Sequence, residues 1–261
     1  MSSVDSRQTL TDDIDQEELE MTISRRKLLQ SMSVVAAVPW LLRGMAQAAE
    51  PLRIGVLGAG SLGGIVGSLW VKAGHEVMFS SRHPEELESL VRQLGPRASV
   101  GLPAAAAEFG TVLLLAVPFV AIPQVGRDLR RQYAGKVVLD STNPWGSSDS
   151  EVYREARENG VAQTVRKYFA NARLVRAFSC VDAGVVETSG TRRGGRIGMP
   201  IASDDDQAIQ VATGLVRDAG LDPIVVGNLA ASSAFQQGGP GWRAHLTAPE
   251  LRLRLGLPVD N

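Results

Sequence analysis

Two short stretches of this 261-residue chain have residue types and spacing that could do chemistry: Gly58-Ala59-Gly60-Ser61-Leu62-Gly63 and, some twenty positions on, Ser80-Ser81-Arg82-His83. The three glycines of the first have separate uses. Gly58 permits a tight turn, Gly60 lets the backbone approach a pyrophosphate with no side chain between them, and Gly63 lets the following helix pack on the preceding strand. The N-terminus of that helix then turns its free N–H groups and positive dipole end toward the phosphates. At the second stretch, a site for NAD would place Asp or Glu to hold the ribose 2′-hydroxyl. Here Ser81 and Arg82 stand instead, and a hydroxyl and a guanidinium donate to a 2′-phosphate, so the pattern predicts NADP. The plainer reading of Ser81-Arg82 is the start of a solvated loop before a helix that has Pro84 in its first turn.

The surrounding periodicity supplies elements to carry these residues. LRIGVLG, from Leu52, is an apolar run ending in glycine and predicts a buried parallel strand. The stretch after Gly63 has helical spacing, with Gly74 as its C-cap. HEVMFSS (75–81) predicts the second strand, residues 84–95 and 103–110 helices, TVLLLAVP (111–118) the third strand, and KVVLD (136–140) another after a helix around 120–135. Strands alternating with helices imply an α/β fold, a Rossmann-type doubly wound parallel sheet, with ligands outside the carboxyl ends of the strands. Ala116-Val117-Pro118-Phe119 and Asp140-Ser141-Thr142-Asn143-Pro144 are therefore expected at the crevice. The division expected is a dinucleotide-binding domain over 51–172 and a smaller mixed α/β C-terminal part over 173–261.

Composition narrows the function class. With 44% hydrophobic and 21% charged residues the chain has an ordinary globular make-up, and a net charge of −1 gives no electrostatic reason to expect nucleic acid. The single cysteine, Cys180, excludes an internal disulfide and a cysteine-based zinc cluster and reads as a small buried hydrophobe. His75, His83 and His245 are scattered without metal-ligand spacing.

The N-terminus carries a different signal. Ser24-Arg25-Arg26-Lys27-Leu28-Leu29-Gln30 precedes an apolar run of about a dozen residues, too short for a bilayer span, and then Ala46-Gln47-Ala48. Basic segment, apolar segment and small-residue site together resemble a twin-arginine signal peptide over residues 1–48, with Gln30 where the usual pattern has Lys. The expectation is export by the twin-arginine translocation machinery, cleavage after Ala48 and a periplasmic location; an uncleaved anchor is the other reading. That pathway moves folded proteins, so a cofactor could be loaded before exit.

Taken in order, Gly58–Gly63, Ser80-Ser81-Arg82, Leu115-Ala116-Val117-Pro118 and Asp140-Ser141-Thr142-Asn143-Pro144 resemble the NADP oxidoreductases that work with the deazaflavin coenzyme F420. The same fold occurs in the ferric reductase domains of six-transmembrane epithelial antigen proteins. The resemblance extends through RLVRAFS (173–179) and the strand–helix–strand stretch 196–229. It implies that Gly58, Gly60, Ser61, Leu62, Ser81, Arg82, Val117 and Pro118 line an NADP site, with Asn143 and Pro144 near the nicotinamide. It also implies coenzyme F420 or a flavin as co-substrate. Ser179 and Cys180 stand near the expected acceptor pocket where the family has Asn and Thr, which leaves the small-molecule redox acceptor open. The tail from Leu229 either folds over the cleft or forms a homodimer contact.

Hydride transfer between two redox rings needs distance and orientation more than an acid–base pair. Oxidation of an alcohol would want a base, and hydroxyacid dehydrogenases with a similar first domain use a lysine from a long helical second domain. This chain has only Lys27, Lys72, Lys136 and Lys167. A non-catalytic exported dinucleotide-binding protein is the alternative from another class.

Overall fold

The structure, a computed structural model, describes residues 50–146 and 149–258; the expected signal peptide of residues 1–48 lies outside the described residues. In chain order the elements are β1 (Arg53–Leu57), α1 (Ser61–Ala73), β2 (Glu76–Ser80), a 3-10 turn (Pro84–Leu87), α2 (Glu88–Leu94), β3 (Ala98–Gly101), α3 (Pro103–Phe109) and β4 (Val112–Leu115). There follow α4 (Ile122–Asp128), α5 (Arg130–Tyr133), β5 (Val137–Asp140), α6 (Glu151–Asn159), α7 (Val161–Tyr168), β6 (Arg173–Arg176) and α8 (Ala183–Ser189). The chain closes with β7 (Gly198–Ser203), α9 (Asp206–Asp218), β8 (Asp222–Gly227), a 3-10 segment (Leu229–Phe235) and α10 (Ala248–Arg254).

All eight strands form one sheet in the order β3-β2-β1-β4-β5-β6-β7-β8, parallel except between β6 and β7. Reversal of strand order on either side of β1 makes it doubly wound. The residues of β1 and β4 show why. Ile54, Val56, Val112 and Leu114 point to one face and Leu57, Leu113 and Leu115 to the other, so both faces need a cover. On the first face α1, α8 and α9 close over Trp70, Val66 and Leu215; on the second α3 to α7 close over Tyr133, Tyr153 and Phe169.

The sheet runs on without a break past residue 172, since Asp140 of β5 is in register with Arg176 of β6. Trp70 ties the two stretches of sequence together. It is fully buried, its Nε1–H donates to the Leu215 carbonyl at 2.7 Å, and its ring meets Phe178 edge-on at 5.8 Å. One element departs from expectation: the third strand in sequence is β3, not the 111–118 run, whose strand is β4. Among the described residues no helix is long and apolar enough to cross a membrane.

Candidate functional site

At the carboxyl ends of β1, β2, β4 and β5 lies a cleft of about 720 Å3, in the usual size range for a small-molecule or cofactor site. The glycine turn forms its floor. Gly58 has φ +96°, and a Cβ there would stand 2.6 Å from the Ala116 carbonyl oxygen. A Cβ on Gly63 would stand 2.2 Å from that of Gly58. The fold therefore demands those two glycines. Gly60 is different: it has an extended backbone and a Cβ on it would meet nothing within 4 Å. The protein itself gives no reason for glycine there, but a group resting on the turn would. Gly60 is the N-cap of α1; no side chain caps the helix and no acidic residue sits in its first turn, so the N–H groups and dipole are left for an anion.

At the end of β2, Ser80 is buried with its hydroxyl donating to the Val56 carbonyl, and Ser80, Ser81 and Arg82 all line the cleft. Ser81 Oγ accepts from the His83 N–H at 3.1 Å and keeps its proton to donate. Arg82 is exposed and its guanidinium has no ion-pair or hydrogen-bond partner among the described residues. Glu86, on the 3-10 turn, lines the same end.

On the other side of β1, Ala116, Val117 and Pro118 follow β4, and Ser141, Thr142, Asn143 and Trp145 follow β5. Phe119 is not at the crevice; it lies in the core with its ring against Tyr153. Asp140 is likewise fully buried, beneath the wall, where Arg176 Nη1 donates to Oδ2 at 2.7 Å. Asn143 lines the cleft, yet both ends of its carboxamide are engaged: Oδ1 accepts from Arg176 Nη2 and Nδ2 donates to the Ser179 carbonyl, each at 2.7 Å.

Of the residues expected to hold a cofactor, the cleft wall brings together Gly58, Gly60, Leu62, Ser81, Arg82, Val117, Pro118 and Asn143. Ser61 is the exposed first residue of α1, Gly63 is buried beneath the turn, and Pro144 is half-buried beside the wall; none of the three lines it. Sequence reasoning missed Trp145 and Arg176. Trp145 is 57% exposed at the rim, its ring 5.3 Å from that of Trp242 in the C-terminal segment. Arg176 announces itself only as a charge at the end of β6, in register with Asp140.

The C-terminal segment reaches this end through a few polar ties. The Arg243 N–H donates to the Cys180 carbonyl, the Arg243 guanidinium pairs with Asp182 at 2.6 Å, and the Asp182 N–H donates to His245 Nε2 at 3.3 Å. Arg243 and His245 both have left-handed backbones, with φ of 47° and 50°. Burial holds the His245 imidazole below its ordinary pKa, with the Arg243 and Arg192 charges adding to the effect against the pull of Asp182. Burial pushes the Cys180 thiol up to about 12, so it stays protonated and unreactive. No group of three or more metal-ligating side chains occurs among the described residues.

Comparison with known proteins adds a likeness of sequence over part of the chain and a likeness of fold. Residues 53–144 match the family described as NADP oxidoreductase, coenzyme F420-dependent. No curated protein sequence matches the chain. Among solved structures, a hypothetical protein of Sinorhizobium meliloti is 22% identical, with 77% of this chain and 95% of that one covered and a TM-score of 0.63. A protein of Arthrobacter sp. FB24, provisionally named an F420-dependent NADP reductase, is 21% identical over 69% of this chain and 87% of its own, with a TM-score of 0.60. A reductive aminase from Aspergillus terreus, solved with NADPH and ethyl levulinate, is 17% identical over 70% of this chain and 57% of its own, with a TM-score of 0.50. At such identities the likeness is one of fold, and the family match covers residues 53–144, about a third of the chain.

Proposed function

We propose that the protein is an NADP-dependent oxidoreductase that transfers hydride between the nicotinamide and a deazaflavin, flavin or similar redox acceptor, and that it is exported folded by the twin-arginine machinery to the periplasm. The observation that carries the cofactor assignment is the pairing of an empty Cβ position at Gly60, over an uncapped helix terminus, with an Arg82 at the end of β2 that has no partner among the described residues. A pyrophosphate fits the first and a 2′-phosphate the second.

When bound, the nicotinamide supplies the hydride chemistry. The chain's own part is placement. The first turn of α1 holds phosphate, Arg82 and Ser81 hold the 2′-phosphate, and the apolar side chains of Val117 and Pro118 keep water from the middle of the cleft. Alcohol oxidation is less well served by this site. Lys136 Nζ donates to the Ala107 carbonyl and Lys167 pairs with Glu155, both away from the cleft, and neither Lys72 nor a histidine lines it. The cleft wall's lack of a lysine or histidine among the described residues, with Glu86 its one carboxylate and that at the β2 end, also suits a non-catalytic dinucleotide binder, which is the second reading.

Titration of the mature protein with NADP and NAD tests the first assignment. Arg82→Ala is expected to weaken NADP by about 1–3 kcal/mol, the worth of a charge-assisted bond, and NAD by much less. Equal weakening of both would count against a 2′-phosphate at Arg82. Mixing the NADPH complex with deazaflavin, flavin and ferric chelate then separates the two readings, because a binder consumes NADPH with none of them. Fractionation of cells carrying Arg25→Lys/Arg26→Lys should leave the protein in the cytoplasm if export follows the twin-arginine route.

A further inference from the structure

Beneath the β5 end of the cleft lies a network of charge that takes no part in the reading above. Arg176 is 1% exposed and Asp140 not at all, so neither can touch a ligand. Their contacts nonetheless converge on the cleft wall. Arg176 Nη1 donates to Asp140 Oδ2 at 2.7 Å and to the Thr142 carbonyl at 2.5 Å, and Nη2 donates to Asn143 Oδ1 at 2.7 Å. The other carboxylate oxygen, Asp140 Oδ1, accepts from the Thr142 N–H and hydroxyl. Asn143 is anchored a second time through Nδ2 to the Ser179 carbonyl, and the Ser141 hydroxyl is tied to the Leu115 carbonyl. Every residue from Asp140 to Asn143 is thus held from below by at least one hydrogen bond.

Stability alone does not explain such an arrangement. A buried ion pair often contributes no more than a well-packed apolar pair, and the other buried residues of these two strands are Val and Leu. The guanidinium does something an apolar side chain could not: from β6 its planar fork fixes the relative positions of three acceptors, one at the end of β5 and two in the turn that follows. Across the sheet, phosphate is expected at β1 and the 2′-phosphate at the end of β2. A dinucleotide extended from there over β4 brings its nicotinamide half to the turn after β5.

We infer that Arg176 is a positioning residue for the nicotinamide end of the cleft, acting through Asp140 and Asn143 to fix the Ser141–Trp145 turn. This rests on the NADP reading, and the test separates the two. The ligands are NADP and 2′,5′-ADP, the adenosine-end fragment that never reaches the β5 turn. Arg176→Gln/Asp140→Asn removes the fork without leaving a lone buried charge, and Arg176→Lys keeps the charge with one donor centre in place of the fork. The double variant is expected to lose about tenfold or more in NADP affinity while binding 2′,5′-ADP as the unmodified protein does, the fluorescence of bound NADPH moving toward that of free NADPH. Arg176→Lys should recover part of the loss. Equal changes for NADP and the fragment, or no change for either, would overturn the inference and leave Arg176 a structural residue. Failure of the unmodified protein to bind NADP or 2′,5′-ADP would remove the cofactor reading itself and the inference with it.

Discussion

Gly60 and Gly63 stand three residues apart in one turn and resist substitution for different reasons. A methyl group on Gly63 would meet the Gly58 carbonyl oxygen, which is backbone and cannot swing aside, whereas a methyl on Gly60 would project into open space over the helix terminus. Gly63→Ala is therefore expected to destabilise the fold by about 1–3 kcal/mol, measured by urea unfolding. Gly60→Ala should stay within about 1 kcal/mol of the parent yet lose NADP affinity in titration. If Gly60→Ala bound NADP normally, the phosphate would not lie on that turn. This contrast also shows what a sequence discloses at the residue scale. The glycine turn and Ser81-Arg82 are legible because their partners are a few positions away or belong to the ligand. Arg176 and Trp145 are not, because their meaning comes from Asp140, Asn143 and Trp242, neighbours only after the sheet and the C-terminal segment have assembled.

Among the elements, the strands with uninterrupted apolar runs are read without difficulty, since burial on both faces leaves no alternation to misread. β3 escapes because Ala98–Gly101 is a four-residue edge strand of half-buried residues, with neither an apolar run nor an alternating pattern to mark it. The C-terminal segment escapes for another reason: left-handed Arg243 and His245 are held by contacts to Cys180 and Asp182, not by local preference. Its attachment should depend on pH. His245 has a depressed pKa in the folded protein, so between that value and its ordinary 6.5 the unfolded chain binds more protons than the folded one. Stability from this group is complete above about pH 6.5 and is lost as pH falls through the window below it. His245→Gln should therefore flatten the decline in unfolding free energy below pH 6.5, with Trp242 fluorescence reporting the release of the segment in the parent. Identical pH profiles for the two proteins would mean that His245 does not couple the segment to protonation.

For the molecule as a whole, the question is whether the first half can stand alone. The spacing of strands and helices predicts a Rossmann-type fold, and the change in pattern after residue 172 predicts a division there. The sheet nevertheless passes straight through that position, and Trp70 on the helix of the glycine turn is buried against α9 and Phe178. A fragment of residues 50–172 would expose Trp70 and strip Asp140 of Arg176. Loss of a large buried aromatic costs about 3–5 kcal/mol and an unpaired buried carboxylate a similar amount, a large part of the roughly 5–15 kcal/mol that holds a domain together. The fragment should lack a cooperative thermal transition and should not bind NADP. A cooperative transition in the isolated fragment would establish an independent domain.

The Trp70 contact also sets a timetable for the chain while it is being made. The carbonyl that receives its indole N–H lies 145 residues further on, and a ribosome adding about 5–20 residues per second takes on the order of ten seconds to reach it. For that interval the helix behind the glycine turn lacks its cover, and a large aromatic surface waits in the open, available to any chaperone that recognises nascent protein.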